Sequence, residues 1–164
     1  MPGRLFIFCG IPGSGKTSVA RIVAKEDPTT VHIQTDAIRA MITKPAYSAD
    51  ESDFVYVACI EVAKEALDRG YPVILDATFG SARRRAATLA PLADHYSRID
   101  FVHVFCDLDT ALRRNAGRAS EGVVPEQTVR DMLSTFEAPS PAFEVDTSRI
   151  TPEAAARLII QALF

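Results

Sequence analysis

A short glycine-rich segment near the start of the chain constrains its fold more than any other feature. Residues 10–17 read Gly-Ile-Pro-Gly-Ser-Gly-Lys-Thr, a complete match to the pattern G-x-x-x-x-G-K-[ST]. The glycines let the backbone curl so that consecutive N–H groups point inward, where they bind phosphate oxygens. Residues 5–9 form an apolar run typical of a buried strand, and residues 17–25 have the apolar spacing of a helix. Because a helix N-terminus also faces the anion, this context predicts a nucleoside triphosphate site.

Two side chains at the end of this phosphate-binding loop carry the expected chemistry. Lys16 supplies a positive charge for the β- and γ-phosphates, and the Thr17 hydroxyl is placed to ligate Mg²⁺. The chain lacks an Asn/Thr-Lys-x-Asp motif that would read guanine, so we expect ATP and Mg²⁺ as cofactors. The predicted nucleotide-binding residues are Gly10, Pro12, Gly13, Ser14, Gly15, Lys16, Thr17 and Ser18.

Short apolar runs alternate with helical segments along the whole chain. This alternation predicts an α/β fold with a parallel sheet flanked by helices. A length of 164 residues predicts a single domain over 1–164. The strand candidates are 4–9, 31–34, 72–76, 99–106 and 142–146. The helix candidates are 15–26, 36–42, 49–69, 81–95, 109–119, 125–136 and 152–163.

In such a sheet, ligands bind beyond the carboxyl ends of the strands, and the second strand candidate is followed by Asp36 and Arg39. Phosphoryl transfer to a hydroxyl needs a group that orients the hydroxyl and accepts its proton, and Asp36 is the candidate base. Arg39, one turn later, is the candidate to hold a substrate phosphate or the transferring group. The alternative interpretation makes Asp36 a helix N-cap and Arg39 a solvated charge.

The third strand candidate ends in Asp76, which completes the Walker B pattern of an apolar strand followed by a carboxylate. Asp76 is predicted to bind Mg²⁺ directly or through water. Three arginines at 83–85 then open a helix, where they oppose the helix dipole and so indicate a place that holds an anion. Thr78, Arg83 and Arg84 are the expected substrate contacts. A solvated basic face is the alternative.

Residues 113–125 are predicted to form a short lid, because two glycines flank a polar stretch within them. Arg114 and Arg118 lie four residues apart on one helix face. Phosphoryl transfer spreads negative charge over three oxygens, and an arginine that closes onto them stabilises the transition state. Either arginine is a candidate for this catalytic role. The alternative is a surface ion-pair network with neighbouring aspartates.

Composition and apolar patterning indicate which binding partners and which cellular location to expect. A net charge of −3 argues against a protein that coats nucleic acid. No apolar stretch approaches roughly 18 residues and the N-terminus lacks a signal-peptide layout, so we expect no membrane partner and a cytoplasmic location. The three cysteines lie far apart in apolar runs, which predicts buried thiols, and the three histidines are interpreted as packing or surface residues.

The quoted motifs are similar to those of the P-loop kinases of the polynucleotide-kinase and zeta-toxin-like (AAA_33-type) group. The resemblance extends from Leu5 to about Asp146. Its motifs are the segments 10–17, 35–39, 73–78 and 114–118. It implies a P-loop kinase fold with a five-stranded parallel sheet and a helical lid. It also implies Asp36 as the base, Lys16 and Thr17 on ATP and Mg²⁺, and Arg114 or Arg118 as the lid arginine.

Two positions depart from the pattern of this group: Phe79 stands where relatives commonly carry Asn, and Gly122 where they often carry Arg. The leading hypothesis is an ATP- and Mg²⁺-dependent kinase whose acceptor is the 5′-hydroxyl of a polynucleotide. One alternative is a small-molecule kinase acting on a sugar acid, a nucleoside-like metabolite or an antibiotic. Another is an NTP-hydrolysing regulator, although Asp36 and the lid arginines favour transfer. The sequence predicts no oligomeric state.

Overall fold

The computed structural model describes residues 1–46, 48–118 and 122–164, which form five β-strands and seven α-helices. The strands are β1 (Arg4–Cys9), β2 (Val31–Gln34), β3 (Val73–Asp76), β4 (Arg98–Phe105) and β5 (Phe143–Asp146). The helices are α1 (Lys16–Glu26), α2 (Thr35–Arg39), α3 (Ala49–Asp68), α4 (Ala82–Leu89), α5 (Leu108–Ala116), α6 (Glu126–Ser134) and α7 (Pro152–Leu163).

The strands form one parallel sheet in the order β2-β3-β1-β4-β5. The central strand β1 has β3 on one side and β4 on the other, with Ile7 level with Leu75 and Phe101. The carboxyl ends of β1, β3 and β2 therefore stand side by side at one edge. The predicted five-stranded parallel sheet flanked by helices is confirmed.

Strand β1 is buried on both faces and divides the interior into two cores. Leu5 and Ile7 pack with α3 on one side, and Phe6 and Phe8 pack with α1 and α7 on the other. Each side chain of this size contributes about 1.5–3 kcal/mol when it is removed from water. Burial on both faces explains why the strand is a continuous apolar run and does not alternate. The phosphate-binding loop thus begins from a strand that is packed on both faces.

Most boundaries lie within two residues of their predicted positions, but three helices end earlier than predicted. The helix predicted over 109–119 ends at Ala116, so Arg118 lies beyond it and not on the same helix face as Arg114. The helix predicted over 36–42 ends at Arg39, after which the amides of residues 41 and 42 bond three residues back in a tighter turn. The helix predicted over 81–95 ends at Leu89 and continues as one 3₁₀ turn, Ala90–Leu92. Pro91 has no amide hydrogen and its ring clashes with the preceding turn, so the α-helix cannot continue.

The three cysteines are buried, as their apolar surroundings predicted. Burial raises the pKa of the Cys9 thiol to about 12 and that of Cys59 to about 11, and it also raises the pKa of Cys106. Among the residues that the structure describes, no helix is long and apolar enough to cross a membrane.

Candidate active site

The carboxyl ends of β1, β2 and β3 open into a cleft of about 600 Å³. Its walls are formed by the phosphate-binding loop, by the segment that follows β2, by the segment that follows β3, and by α3 and α6. The lining residues are Pro12, Lys16, Thr17, Gln34, Thr35, Asp36, Arg39, Ser52, Tyr56, Asp76, Thr78, Phe79, Gly80, Ser81, Arg84, Arg118, Val124, Met132, Thr135 and Glu137. Most of the residues predicted from the sequence to be functional therefore meet in one place.

The phosphate-binding loop needs glycine at two positions for different reasons. Gly13 has a φ of 83°, and a Cβ atom there would lie 2.1 Å from the carbonyl oxygen of Ala111, so only glycine lets α5 approach. Gly15 precedes α1 with a φ of 87°, and no side chain caps this helix. The first amides of α1 are therefore left to bind an anion. The amide of Gly10 donates to the Thr78 carbonyl at 3.2 Å and joins the loop to the segment after β3.

Asp76 ends β3 and is almost completely buried beside Lys16, which is 7% exposed. Burial favours the protonated form of Asp76, but the hydrogen bond with His32 and the charge of Lys16 outweigh it and hold its pKa below the ordinary value. Its Oδ1 atom is buried with no hydrogen-bond partner among the described residues. An ionised oxygen left without a partner is costly, and a cation or its water would satisfy it. The oxygens of Thr17 and Asp76 therefore fit Mg²⁺, which prefers oxygen ligands.

The other oxygen of Asp76 is held by His32, a residue that sequence reasoning assigned to packing or the surface. His32 Nε2 lies 3.2 Å from Asp76 Oδ2, and Gln34 Nε2 lies 3.4 Å from His32 Nδ1. An ionised carboxylate only accepts, so Nε2 carries the proton and Nδ1 accepts from the amide of Gln34. His32 and Gln34 are two residues apart on one face of β2. That alternation, next to a strand ending in Asp76, is the signal that could have identified them.

Asp36 and Arg39 both line the cleft, but they differ in exposure and in their contacts. Asp36 is exposed and is the second residue of α2, whose N-cap is Gln34 without a side-chain cap bond, so the capping alternative is wrong. The Arg39 side chain is 13% exposed, forms an ion pair with Glu51 and donates to Ser52 Oγ at 3.2 Å. The alternative of a solvated charge is therefore also wrong.

The three consecutive arginines of α4 do not form a cluster. Arg84 lines the cleft, Arg83 is exposed and is not among the lining residues, and Arg85 is buried. The guanidinium of Arg85 donates to the carbonyl oxygens of Phe79 at 2.8 Å and Glu137 at 2.6 Å. Neighbouring residues on a helix point about 100° apart, so only one of the three faces the site.

One wall of the cleft contains a guanidinium group stacked on an aromatic ring, with a second aromatic ring beside it. The guanidinium of Arg84 lies 4.7 Å above the centre of the Tyr56 ring and pairs with Asp53 at 3.0 Å. Burial raises the pKa of Tyr56 to about 12, against the opposing charge of Arg84. Its hydroxyl therefore stays protonated at neutral pH. The ring of Phe79 meets that of Tyr56 edge-on at 5.7 Å.

The two candidate lid arginines differ in their contacts. Arg114 donates to the hydroxyl and carbonyl oxygens of Thr147 at 2.9 and 2.8 Å, and the Thr147 hydroxyl donates to the Ser14 carbonyl at 2.7 Å. Arg114 thus braces the phosphate-binding loop. Arg118 lines the cleft, and its guanidinium donates to the Gly122 carbonyl at 3.4 Å. The predicted surface network is not formed by Asp107, which instead caps α5.

The base of the predicted lid is closed by one amide side chain. Asn115 donates to the Val124 carbonyl at 2.6 Å and accepts from the Val124 amide at 3.1 Å. These two hydrogen bonds connect the end of α5 to the segment that leads to α6. Residues 119–121 of the predicted lid lie outside the described residues.

Comparison with known proteins agrees with this architecture. Residues 5–139 match the model of an AAA domain family, AAA_33. An uncharacterized protein of Mycobacterium tuberculosis is 30% identical over 129 residues, which cover 71% of this chain and 26% of that protein. The chain thus spans about a quarter of the length of the curated relatives it matches.

Three solved structures share the fold at low identity. The APS kinase CysC of Mycobacterium tuberculosis, in complex with AMPPNP and APS, has a TM-score of 0.76 at 21% identity, with 99% of this chain and 98% of that chain covered. A sugar kinase from Janibacter sp. has a TM-score of 0.74 at 20% identity, with 98% and 94% covered. A chain of the Pnkp1/Rnl/Hen1 RNA repair complex has a TM-score of 0.72 at 20% identity, with 82% of this chain and 44% of that chain covered. The chain therefore belongs to the AAA_33 family of AAA domains and has the nucleotide-binding fold of the P-loop kinases.

Proposed function

We propose that this protein is an ATP- and Mg²⁺-dependent kinase that transfers the γ-phosphoryl group to a hydroxyl of a small molecule. The observation that carries the proposal is that Asp36, exposed at the end of β2, lines the same cleft as Lys16, Thr17 and Asp76. A nucleotide switch needs the phosphate-binding set, whereas an additional accessible carboxylate suits an enzyme with a hydroxyl acceptor. We further propose that residues 1–164 form a single catalytic domain with a lid over 113–125, and that it works where ATP is available, in the cytoplasm.

In this mechanism Lys16 and the first amides of α1 hold the β- and γ-phosphates. Thr17 and Asp76 would hold Mg²⁺, which when bound supplies neutralising charge on the phosphates. The acceptor hydroxyl gives its proton to Asp36 as its oxygen bonds to the γ-phosphorus and the bond to ADP breaks. Arg118, which lines the same cleft, stabilises the charge on the transferring oxygens.

The arginines favour a small acceptor over the polynucleotide that the sequence analysis put first. A polynucleotide needs cations that neutralise several phosphates. Arg83 is not among the cleft-lining residues and Arg85 bonds to carbonyl oxygens in the interior. Arg39 and Arg84, which line the cleft, each pair with a carboxylate of α3. The four arginines of α2 and α4 therefore do not form a continuous basic track into the cleft, which supports the small-molecule alternative.

Transfer of label from γ-labelled ATP to a panel of hydroxyl compounds and 5′-hydroxyl oligonucleotides tests the proposal. Asp36→Asn is expected to lower kcat by roughly 10² or more and to leave ATP affinity within a few fold, because the amide cannot accept the proton. Lys16→Ala is expected to abolish transfer, and Lys64→Ala, which removes a partly exposed surface cation paired with Glu61, serves as its control.

Full activity of Asp36→Asn would refute Asp36 as the base. Labelling of oligonucleotides alone, with a steep loss of affinity as salt rises, would return the acceptor to the polynucleotide class. ATP hydrolysis that no acceptor stimulates would indicate a nucleotide-binding regulator.

A further inference from the structure

We call the cleft wall formed by α2, the first half of α3, residues 78–84 and residues 135–137 the acceptor side. Its cleft-lining arginines are paired with carboxylates. Two guanidinium groups of this wall line the cleft, those of Arg39 and Arg84. Both are bonded to carboxylates of α3, Arg39 to Glu51 and Arg84 to Asp53 at 3.0 Å.

The Arg39–Glu51 pair is built into the start of α3. The two side chains are 13% and 11% exposed. The backbone amide of Glu51 donates to the Ser48 hydroxyl, which caps the helix, and its second carboxylate oxygen accepts from the amide of Ala46. An anion that took Arg39 from Glu51 would leave a buried carboxylate without its cation, which is strongly unfavourable. Arg39 is therefore poorly suited to bind a phosphate, sulfate or carboxylate group.

The remaining groups of this wall are carboxylates and hydroxyls. Asp36 is exposed in the cleft, and Glu137 accepts from the amide of Ala82 at 2.6 Å. The cleft-lining guanidinium groups of this wall are each already paired with a carboxylate of α3, whereas Asp36 and Glu137 form no ion pair among the described residues. The hydroxyls of this wall that line the cleft are those of Thr35, Ser52, Tyr56, Thr78, Ser81 and Thr135. Hydroxyls and carboxylates hydrogen-bond to sugar hydroxyls, and carboxylates that no cation compensates repel an anion.

We propose that the acceptor is a polyhydroxyl compound that carries no phosphate, sulfate or carboxylate group, of the uncharged sugar or amino-sugar type. This inference rests on the proposed kinase function and names the substrate class of the same site. Glu51 and Asp53 are the residues that set this specificity, since they neutralise the two arginines that would otherwise attract an anionic acceptor.

The test uses matched acceptors and γ-labelled ATP. Glucose is compared with gluconate and glucose 6-phosphate, and a panel of sugars, polyols and amino sugars is compared with adenylylsulfate and a 5′-hydroxyl oligonucleotide. We expect the best substrate to lack an anionic group and its kcat/KM to exceed that of its anionic counterpart at least tenfold. If an anionic compound is the best substrate, the kinase function stands and the acceptor class is wrong. If no compound accepts phosphate, both fail.

A charge-neutralising substitution gives an independent result. Glu51→Gln releases Arg39 and is expected to raise kcat/KM for anionic acceptors at least tenfold relative to that for uncharged ones. Glu61→Gln, at an exposed pair with Lys64 further along α3, is the control and should leave the ratio unchanged. Asp53→Asn makes the same test at Arg84 and removes a carboxylate that is 67% exposed, so it preserves folding even if Glu51→Gln does not. An unchanged ratio in both variants would overturn the role of these carboxylates.

Discussion

Phe79 combines two opposing contributions to stability, and replacing it measures which is larger. Its φ of 46° lies in the left-handed region, which costs a residue with a Cβ atom about 1–2 kcal/mol. Its side chain is 2% exposed and packs in the core against α3, with its ring edge on Tyr56. Truncating a buried phenylalanine to alanine typically costs about 3–5 kcal/mol. We therefore expect packing to outweigh strain.

Two substitutions separate the terms. Phe79→Ala removes the ring and keeps the strain, so it is expected to lower the free energy of unfolding by about 4 kcal/mol. Phe79→Gly removes both and is expected to lower it by about 3 kcal/mol, since glycine adopts this φ freely. In a chain of this length 1 kcal/mol shifts Tm by about 2–4 °C, so the alanine variant should melt roughly 8–16 °C lower. The Arg85 guanidinium donates to the backbone carbonyl of residue 79, so this bond persists in both variants.

Urea unfolding followed by circular dichroism measures these differences. Phe54→Ala, at a residue of α3 that is 60% exposed, is the control and should change stability by no more than about 0.5 kcal/mol. A glycine variant at least as stable as the unmodified protein would show that strain equals or outweighs packing and would refute the reasoning. Equal stability of the two variants would show that position 79 is not strained.

The remaining predictions concern the lid arginines, the histidine behind Asp76 and the buried thiols. Arg118→Ala should lower kcat at least tenfold with little change in ATP affinity. Arg114→Ala loses two hydrogen bonds to Thr147 and should lower the free energy of unfolding by about 2 kcal/mol. The reverse pattern would exchange the roles of the two arginines. His32→Ala should raise the Mg²⁺ concentration for half-maximal activity roughly tenfold, and an unchanged value would make His32 a packing residue only. Because burial raises the thiol pKa values, a disulfide reagent at pH 8 should label the denatured chain at three sites and the native chain very slowly. Rapid native labelling would contradict the burial.

Local patterns predicted the elements that depend on neighbouring residues. The apolar run of β1, the glycine positions of the loop and the start of α3 are each recognised within a few residues, and each lies where it was predicted. The shortened α4 could also have been predicted, because Pro91 lies within the segment. The early end of α2 has a weaker local signal and was missed.

The role of a charged side chain was harder to predict, because it depends on partners far along the chain. Arg83, Arg84 and Arg85 look alike in the sequence, yet one is exposed, one lines the cleft and one bonds to the interior. The spacing of Arg114 and Arg118 predicted one helix face, but α5 ends at Ala116 and only Arg114 reaches Thr147, 33 residues later. Sequence spacing identifies such residues, and tertiary contacts decide what each one binds.

The sequence by itself determined the nucleotide side of the site, because backbone amides, Lys16 and Thr17 come from one contiguous loop between a strand and a helix. Only the tertiary structure decided the acceptor side. There the packing of α3 on α2 brings Glu51 to Arg39. The sheet order likewise decided a contact on the nucleotide side, where it brings His32 to Asp76. Binding of a phosphate by successive amides is a property of local backbone conformation. The charge of the acceptor side is a sum over segments that meet only after folding, and no short motif records it.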